Sequence, residues 1–249
     1  MLKTLLNSLK GTDWEMLTDF VSPVFFDVVP TLGMASVFAK IAKDYANKPL
    51  FKTICGEIQR KIALPLAVSM TPYEKTTNKN WIQELSNDDK KIFGEKVLQL
   101  YFAQLFSCDV NILDLRAQSF SSMSTWSPNS IYYRWSSEFK GAVSLMYKGF
   151  YLDDHEAFKT GLRQMNLEHA ADIFRAHFGS GDQDAVVCKL SEFKKSFHSI
   201  FVSCKENRAK LHPDFFALGV YLVCLYDNLE ALGVPLNVRR AFTAAQGLS

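Results

Sequence analysis

The sequence predicts a mostly α-helical protein, a globular bundle of about ten helices around one phenylalanine-rich core. Three observations support this fold class. Apolar residues recur every three or four positions through most of the 249 residues. Residues typical of helix ends stand between these stripes. The chain also has 20 phenylalanines, and many of them fall on the stripes. With 48% hydrophobic and 22% charged residues, it has the composition of an ordinary folded domain.

The first third of the chain contains the first of these stripes. One helical face within residues 1–10 carries Leu2, Leu5, Leu6 and Leu9. The apolar stretch over residues 24–38 contains Asp27 and Pro30 and is shorter than the roughly 20 residues of a membrane span. We therefore interpret it as a buried, kinked helix or as two short helices. Ser86 can cap a third helix, whose inward residues recur every four positions: Phe93, Val97, Tyr101 and Leu105.

The middle of the chain carries the only predicted β structure. Residues 65–80 and the serine-rich segment 107–127 are rich in helix breakers. Apolar and polar residues alternate over residues 112–120, which predicts a small strand there or a minor β hairpin near 112–125. Ser127 and Pro128 form a helix-start signal, and the predicted inward face of that helix is Ile131, Trp135, Phe139, Ala142, Met146 and Phe150.

The C-terminal half predicts a series of antiparallel helices with short connections. Asp153 or Asp154 starts one, Asn166 caps the next, and Gly179 ends it. A stripe over residues 187–204 predicts another helix, and a further one begins at Pro213 and ends at Gly233. We therefore expect a single helical domain over residues 1–249, with a possible subdivision into 1–107 and 127–249 around the serine-rich segment.

Composition and motif searches argue against several functional classes. The near-balance of 28 basic and 26 acidic residues argues against a nucleic-acid partner. The five cysteines are far apart and odd in number, which favours buried thiols in a reducing compartment, so we expect a cytoplasmic protein. No nucleotide-binding, zinc-protease or hydrolase motif occurs, and the sequence predicts no cofactor and no catalytic residue.

Histidines give only weak candidates for a metal site. His169 and Asp172 lie three residues apart on one predicted helix, a spacing that helical metal sites use. His198 lies beside an apolar stripe, where a haem ligand could stand. Neither arrangement is repeated in the sequence, so we interpret all three residues as structural and predict no metal.

One aromatic and cationic cluster is typical of a binding surface. It consists of Trp126, Tyr132, Tyr133, Arg134 and Trp135, with Arg116 as a possible addition beside Asp114. Successive tyrosines on one helix cannot both face the core, so we expect one of the pair near the surface.

Two functions remain open from the sequence. The first is a non-catalytic helical binding protein, a subunit or adaptor of a protein assembly or a homo-oligomer. The alternative is a small-molecule-binding protein or enzyme with an apolar, aromatic-lined pocket. Contact of residues 1–10 with a membrane surface is a weaker possibility.

Overall fold

The computed structural model describes residues 47–72, 80–178 and 185–247. The predictions for residues 1–10, for the stretch 24–38 and for Gly179 lie outside these ranges. The described part is mostly helical, with 64% of its residues in helices. It contains eight α-helices, against about ten expected for the whole chain.

Eight α-helices and five short strands follow one another along the described chain. The helices are α1 Lys48–Ile58, α2 Asn87–Ser107, α3 Ser137–Tyr151, α4 His155–Gln164, α5 Ala171–Phe178, α6 Leu190–Glu206, α7 Asp214–Leu232 and α8 Val238–Gln246. The strands are β1 Ser69–Met70, β2 Val110–Ile112, β3 Phe120–Ser122, β4 Thr125–Trp126 and β5 Tyr132–Arg134. A π-helical turn, Gln59–Ala63, continues α1, and two 3-10 turns precede β3 and α5.

Helix α2 begins where the sequence predicts it. The Ser86 hydroxyl accepts a hydrogen bond from the Asp89 backbone N–H at 3.1 Å, which satisfies one of the free N–H groups of the first turn. All four predicted inward residues of this helix are buried: Phe93, Val97, Tyr101 and Leu105. The side chain of Gln104 is also buried and connects the helix to β2, because its Oε1 accepts from the Ile112 N–H at 2.9 Å.

Helix α7 is apolar on all sides and forms the centre of the described core. By length and composition it is the one described helix that could cross a membrane, and 72% of its most apolar window is buried inside the fold. Burial on all sides is typical of the core helix of a large domain. The helix ends at Gly233, as predicted, where the backbone takes a left-handed φ of 64°.

The described strands form two small sheets around the serine-rich segment. Strand β4 pairs with β1 in parallel and with β3 in antiparallel orientation, while β2 pairs with β5 in antiparallel orientation. The β3–β4 hairpin lies at the end of the predicted hairpin region. The continuous strand predicted over 112–120 is wrong. Residues 113–116 are all buried, instead of alternating between buried and exposed, and residues 117–119 form a 3-10 turn.

The helix start predicted at Ser127 and Pro128 is also wrong, although the predicted inward residues Phe139, Ala142 and Met146 do lie buried in a helix. Helix α3 begins only at Ser137, where the Ser136 hydroxyl caps it by accepting from the Phe139 N–H at 3.3 Å. The preceding residues form β5. Tyr132 and Tyr133 are both 3% exposed, against the expectation that one lies near the surface. A strand points successive side chains to opposite faces, and both faces of β5 are covered.

A smaller correction concerns Asn166, which does not cap the helix that follows it. This residue ends α4 in a left-handed conformation with φ 60°. The next residue closes the turn, because the Leu167 N–H donates to the Leu162 carbonyl at 2.8 Å. Asparagine tolerates this conformation better than most residues, which explains its place at a helix end.

Buried side chains from both sides of the serine-rich segment belong to one hydrophobic cluster. It includes many phenylalanines of the predicted stripes, among them Phe139, Phe158, Phe193 and Phe197. All five cysteines are free and buried, as the sequence predicts. The assignment of a single domain stays a prediction.

Candidate binding groove

An open surface groove runs between the end of α2 and the first half of α3. Its volume is about 440 Å³. Its apolar floor is Leu105, Phe106 and Trp135. The ring of Phe106 packs against Phe102 and Phe242, with centroids 6.0 and 5.7 Å away, which fixes this part of the floor. We call this surface the α2–α3 groove.

Charged residues from three elements stand at the rim of the α2–α3 groove. Pairing of β2 with β5 places Val110 opposite Arg134, so Asp109 and Trp135 lie at the same end of this two-stranded sheet. Arg134 and Asp109 are exposed. Lys140 of α3 is half-buried, and its Nζ donates to the Cys108 carbonyl at the C-terminal end of α2 at 2.8 Å. A cation at this end also compensates the negative end of the α2 dipole.

One face of α3 forms the opposite wall of the α2–α3 groove. Ser137, Gly141 and Ser144 recur at helical spacing and line the groove together with Lys140. A Cβ placed on Gly141 would have no atom within 4 Å, so the wall is open at this position. The two hydroxyl groups can donate to or accept from an occupant.

A single buried carboxylate supports the side of the α2–α3 groove that β5 and α3 form. Asp214, the first residue of α7, accepts from the Tyr133 hydroxyl at 2.7 Å. It also accepts from the backbone N–H and the hydroxyl of Ser136, at 2.9 and 2.7 Å. Burial and this hydrogen bond both raise the pKa of Tyr133, so the phenol stays protonated and donates. Asp214 thereby ties β5 and the start of α3 to the core helix.

Stacked rings extend from the floor of the α2–α3 groove into the core. Trp135 contacts Tyr133 edge to face at 4.9 Å between centroids and stacks on Phe139 at 5.9 Å. Phe139 in turn stacks on His212 at 4.9 Å. The His212 Nδ1 accepts from the Asp214 backbone N–H at 3.1 Å. The ring stack and the carboxylate therefore form one connected support beneath the groove.

The structure separates the predicted aromatic and cationic cluster into two environments. Arg134 and Trp135 reach the α2–α3 groove, while Tyr132 and Tyr133 lie beneath the surface. Tyr132 stacks on Phe51 of α1 at 5.9 Å. Of the six predicted residues, Arg134 alone is exposed.

The other two predicted residues, Trp126 and Arg116, meet at Asp114 in the core. The Trp126 indole donates to the Asp114 carbonyl at 2.9 Å. The Arg116 guanidinium forms a bidentate ion pair with the Asp114 carboxylate, at 2.7 and 3.2 Å. That carboxylate also accepts from the Asn129 N–H at 2.9 Å. All three residues are almost fully buried, so this group connects the serine-rich segment to the core.

The weak metal candidates do not come together. Asp172 pairs with Arg175 at 3.0 Å and is exposed. Burial lowers the pKa of His169, which lies in a 3-10 turn, and His198 is exposed on α6 rather than in an apolar cleft. The described part of the chain contains no group of three histidine, cysteine or acidic side chains that could hold a metal ion.

A second cavity lies in the aromatic core between α2, α3 and α7. It is lined by Tyr101, Tyr147, Tyr151 and Tyr226 among other residues, but its volume is only about 40 Å³. That space holds a water molecule and not a ligand of ordinary size. His177 also lines this cavity, and burial lowers its pKa from 6.5 to about 4.

The cysteine thiols are held in their unreactive form. Burial raises the pKa of Cys55, Cys188 and Cys204 to about 12 and that of Cys108 to about 11. The pKa of Cys224 is also raised by burial. A thiol needs a lowered pKa to act as a nucleophile at neutral pH, so these groups resemble core packing residues.

Sequence reasoning missed most of the groove. Leu105 and Phe106 are predicted only as core or helix residues, and Lys140, Gly141 and Ser144 are not singled out. A glycine within a helix weakens it by about 1 kcal/mol relative to alanine, so Gly141 was the one available local signal. The pairing of β2 with β5, which brings Arg134 to the end of α2, leaves no local signal.

The described residues thus define a mostly α-helical protein with a mixed apolar and cationic surface groove. No family model, curated protein or solved structure matches the chain. The function is therefore inferred from the geometry of the groove.

Proposed function

We propose that this protein is a non-catalytic binding protein, a cytoplasmic subunit or adaptor that receives a segment of a partner protein in the α2–α3 groove. The observation that carries the proposal is the groove itself. An apolar floor lies beside a rim with Arg134 and Lys140 against one acid, Asp109. Apolar centres with polar rims are typical of protein interfaces, and the excess of cations favours a partner surface of negative charge.

The form of the α2–α3 groove favours a chain segment as its occupant. A bound small molecule usually has 70–90% or more of its surface buried, which requires a deep cleft. This groove is open along one side of α3, where Ser137 and Gly141 are exposed. Its volume of about 440 Å³ accommodates a few side chains, while the rest of a peptide lies across the surface.

The supported position of the α2–α3 groove walls also favours binding. Asp214 accepts three hydrogen bonds from β5 and the start of α3, so the walls need little reorganisation when a partner docks. Rigid binding sites lose less conformational entropy on association. The raised thiol pKa values supply no activated nucleophile, which accords with binding rather than catalysis.

A small apolar ligand is the second candidate function. The groove volume of about 440 Å³ falls within the range of small-molecule sites, and an indole ring forms part of its floor. Native mass spectrometry of the purified protein tests this alternative. A retained mass of a few hundred daltons, lost when the groove is filled, would replace the partner protein by a small molecule.

The test of the main proposal fills the groove without disturbing the core. Gly141→Trp places an indole where a Cβ meets no atom within 4 Å. Gly56→Trp is the matched control, because Gly56 is also an exposed helical glycine with no atom within 4 Å, but it does not line the groove. Each purified protein is immobilised, and retained proteins from the native cells are quantified by mass spectrometry.

The proposal predicts one defined partner that the wild type and Gly56→Trp retain equally and that Gly141→Trp retains at least about tenfold less. Calorimetry with that purified partner then gives a fixed stoichiometry. Equal retention by all three proteins would contradict the proposal, as would a monomer that retains no protein. Light scattering separates a further outcome, in which a second copy of this chain occupies the groove.

A further inference from the structure

The indole of Trp135 differs from the other two described indoles in lacking a hydrogen-bond acceptor. Trp81 donates to the Phe120 carbonyl at 2.7 Å, and Trp126 donates to the Asp114 carbonyl at 2.9 Å. The Trp135 side chain is only 6% exposed, and among the described residues its Nε1 has no partner. A buried N–H without an acceptor costs about 1–3 kcal/mol. The Trp135 Nε1 is shielded from solvent, so an occupant gains this energy when the indole shifts to donate to it.

The groups around this indole favour an acceptor with negative charge. The guanidinium of Arg134 and the ammonium of Lys140 bring two positive charges to the rim, and Asp109 brings one negative charge. Ser137, the first residue of α3, adds the positive end of a helix dipole and a hydroxyl donor. A carboxylate can accept several of these hydrogen bonds at once, and charge-assisted bonds of this kind are the strongest in proteins.

The floor of the α2–α3 groove requires a second feature of the occupant. Phe106 is half-buried and offers apolar surface next to the cationic rim, whereas Leu105 is almost fully buried. Covering this surface gains about 25 cal/mol for each Å² removed from water, whereas a purely acidic segment would leave it uncovered. The occupant that satisfies both parts carries an apolar side chain close to a carboxylate.

We propose that the α2–α3 groove recognises an acidic, amphipathic segment of a partner protein. An aspartate or glutamate of that segment binds at Arg134, Lys140 and the Trp135 N–H, and a neighbouring aliphatic or aromatic side chain covers Phe106. This inference rests on the proposed function and specifies the chemistry of its partner.

A display library of random 12-residue peptides tests the inference. Selections are run in parallel against the wild type, Arg134→Glu, Gly141→Trp and Gly56→Trp. We expect peptides selected by the wild type and by Gly56→Trp to be enriched in an acidic residue within a few positions of an apolar one. Arg134→Glu should lose these peptides, with affinities at least about tenfold weaker, and should select basic residues instead. Arg134 is exposed, and circular dichroism checks that the Arg134→Glu protein is folded.

A spectroscopic measurement places the bound carboxylate. In a protein labelled with ¹⁵N-tryptophan, a selected acidic peptide should shift the Trp135 indole N–H resonance downfield. The Trp81 and Trp126 resonances are internal controls, because both indoles already donate to carbonyls. The same peptide with glutamine in place of its acidic residue should leave the Trp135 resonance near its free position. Equal shifts with both peptides would overturn the assignment.

The outcomes distinguish this inference from the proposed function. Selected peptides that need an unfilled groove but show no acidic enrichment would overturn the inference and leave the function standing. Peptides that bind equally to the wild type and to Gly141→Trp would overturn both. Lys140→Gln is the second rim variant, and an unchanged affinity in both rim variants would also contradict the inference.

Discussion

Two glycines of helix α3 should respond to alanine with opposite signs. Gly149 packs against the start of α4, where a Cβ would lie 2.1 Å from the Phe158 backbone nitrogen and 2.7 Å from the Asp154 carbonyl oxygen. Gly141 lies about two turns earlier in the same helix, in the α2–α3 groove, where a Cβ would have no atom within 4 Å. The two substitutions are chemically identical, so only the local surroundings differ.

The contacts of Gly149 determine the size of the effect. Carbon atoms pack at about 3.5–4.0 Å, so α3 and α4 would have to separate by more than about 1 Å to accept Gly149→Ala. The colliding atoms belong to the backbone and cannot rotate away. We expect Gly149→Ala to lower the free energy of unfolding by at least about 3 kcal/mol, at the upper end of overpacking costs. Gly141→Ala should raise it by about 0.5–1 kcal/mol, because alanine is the better helix former.

Urea unfolding of purified variants measures both changes. Far-ultraviolet circular dichroism and tryptophan fluorescence are recorded together, and coincident transitions justify a two-state analysis. Gly56→Ala is the control, since this glycine of α1 is also exposed with no atom within 4 Å, and it should behave like Gly141→Ala. A Gly149→Ala variant within about 1 kcal/mol of the wild type would refute the close approach of α3 and α4.

Three further predictions concern buried polar groups. Arg116→Met should destabilise the protein by about 3–5 kcal/mol because it leaves the Asp114 carboxylate buried without its ion-pair partner. Adding Asp114→Asn should recover part of this loss. Additive effects of the two substitutions in a urea double-mutant cycle would contradict the buried pair. Tyr133→Phe should cost about 1.5–3 kcal/mol in the same assay, because it removes a hydrogen bond to the Asp214 carboxylate; an unchanged stability would refute this bond. Burial lowers the pKa of His177 from 6.5 to about 4, so the unfolded chain binds the proton at a higher pH than the folded protein does. The free energy of unfolding should therefore fall by up to about 3 kcal/mol as the pH drops from 6.5 to 4. Thermal unfolding across this range should show a smaller decrease in His177→Gln, and equal decreases in both proteins would contradict the assignment.

Local signals predicted several helices because the physics of those elements is local. The Ser86 cap of α2 and the left-handed Gly233 at the end of α7 are satisfied by residues within one helical turn. The inward stripe of α2 reflects the same short-range periodicity. The buried state of the cysteines could also be predicted, since isolated thiols in the absence of paired spacing behave as small apolar residues.

The error at β5 shows what local signals cannot resolve. Ile131 and Trp135 are four residues apart and continue into Phe139, so a strand and the helix after it together imitate one helical stripe. The strand exists because Tyr132 and Arg134 pair with β2, about twenty residues earlier in the chain. Such pairing is governed by tertiary packing, which overrides local propensity.

The candidate site was harder to predict than the fold. The sequence singled out Arg134 and Trp135, both of which line the α2–α3 groove, because aromatic and arginine side chains are common at interfaces. It could not indicate that Asp214, some 80 residues later, supports them from beneath. Nor could it separate Trp126, whose indole is satisfied inside the core, from Trp135, whose indole has no acceptor among the described residues.

The affinity of a groove-selected acidic peptide for Gly141→Trp, relative to Gly56→Trp, tests the central claim most directly. Fluorescence anisotropy with the labelled peptide gives both dissociation constants. We predict that Gly56→Trp binds like the wild type and that Gly141→Trp binds at least about tenfold more weakly, a difference of about 1.4 kcal/mol or more. Equal dissociation constants for the two variants, with both folded by circular dichroism, would show that the α2–α3 groove is not the binding surface.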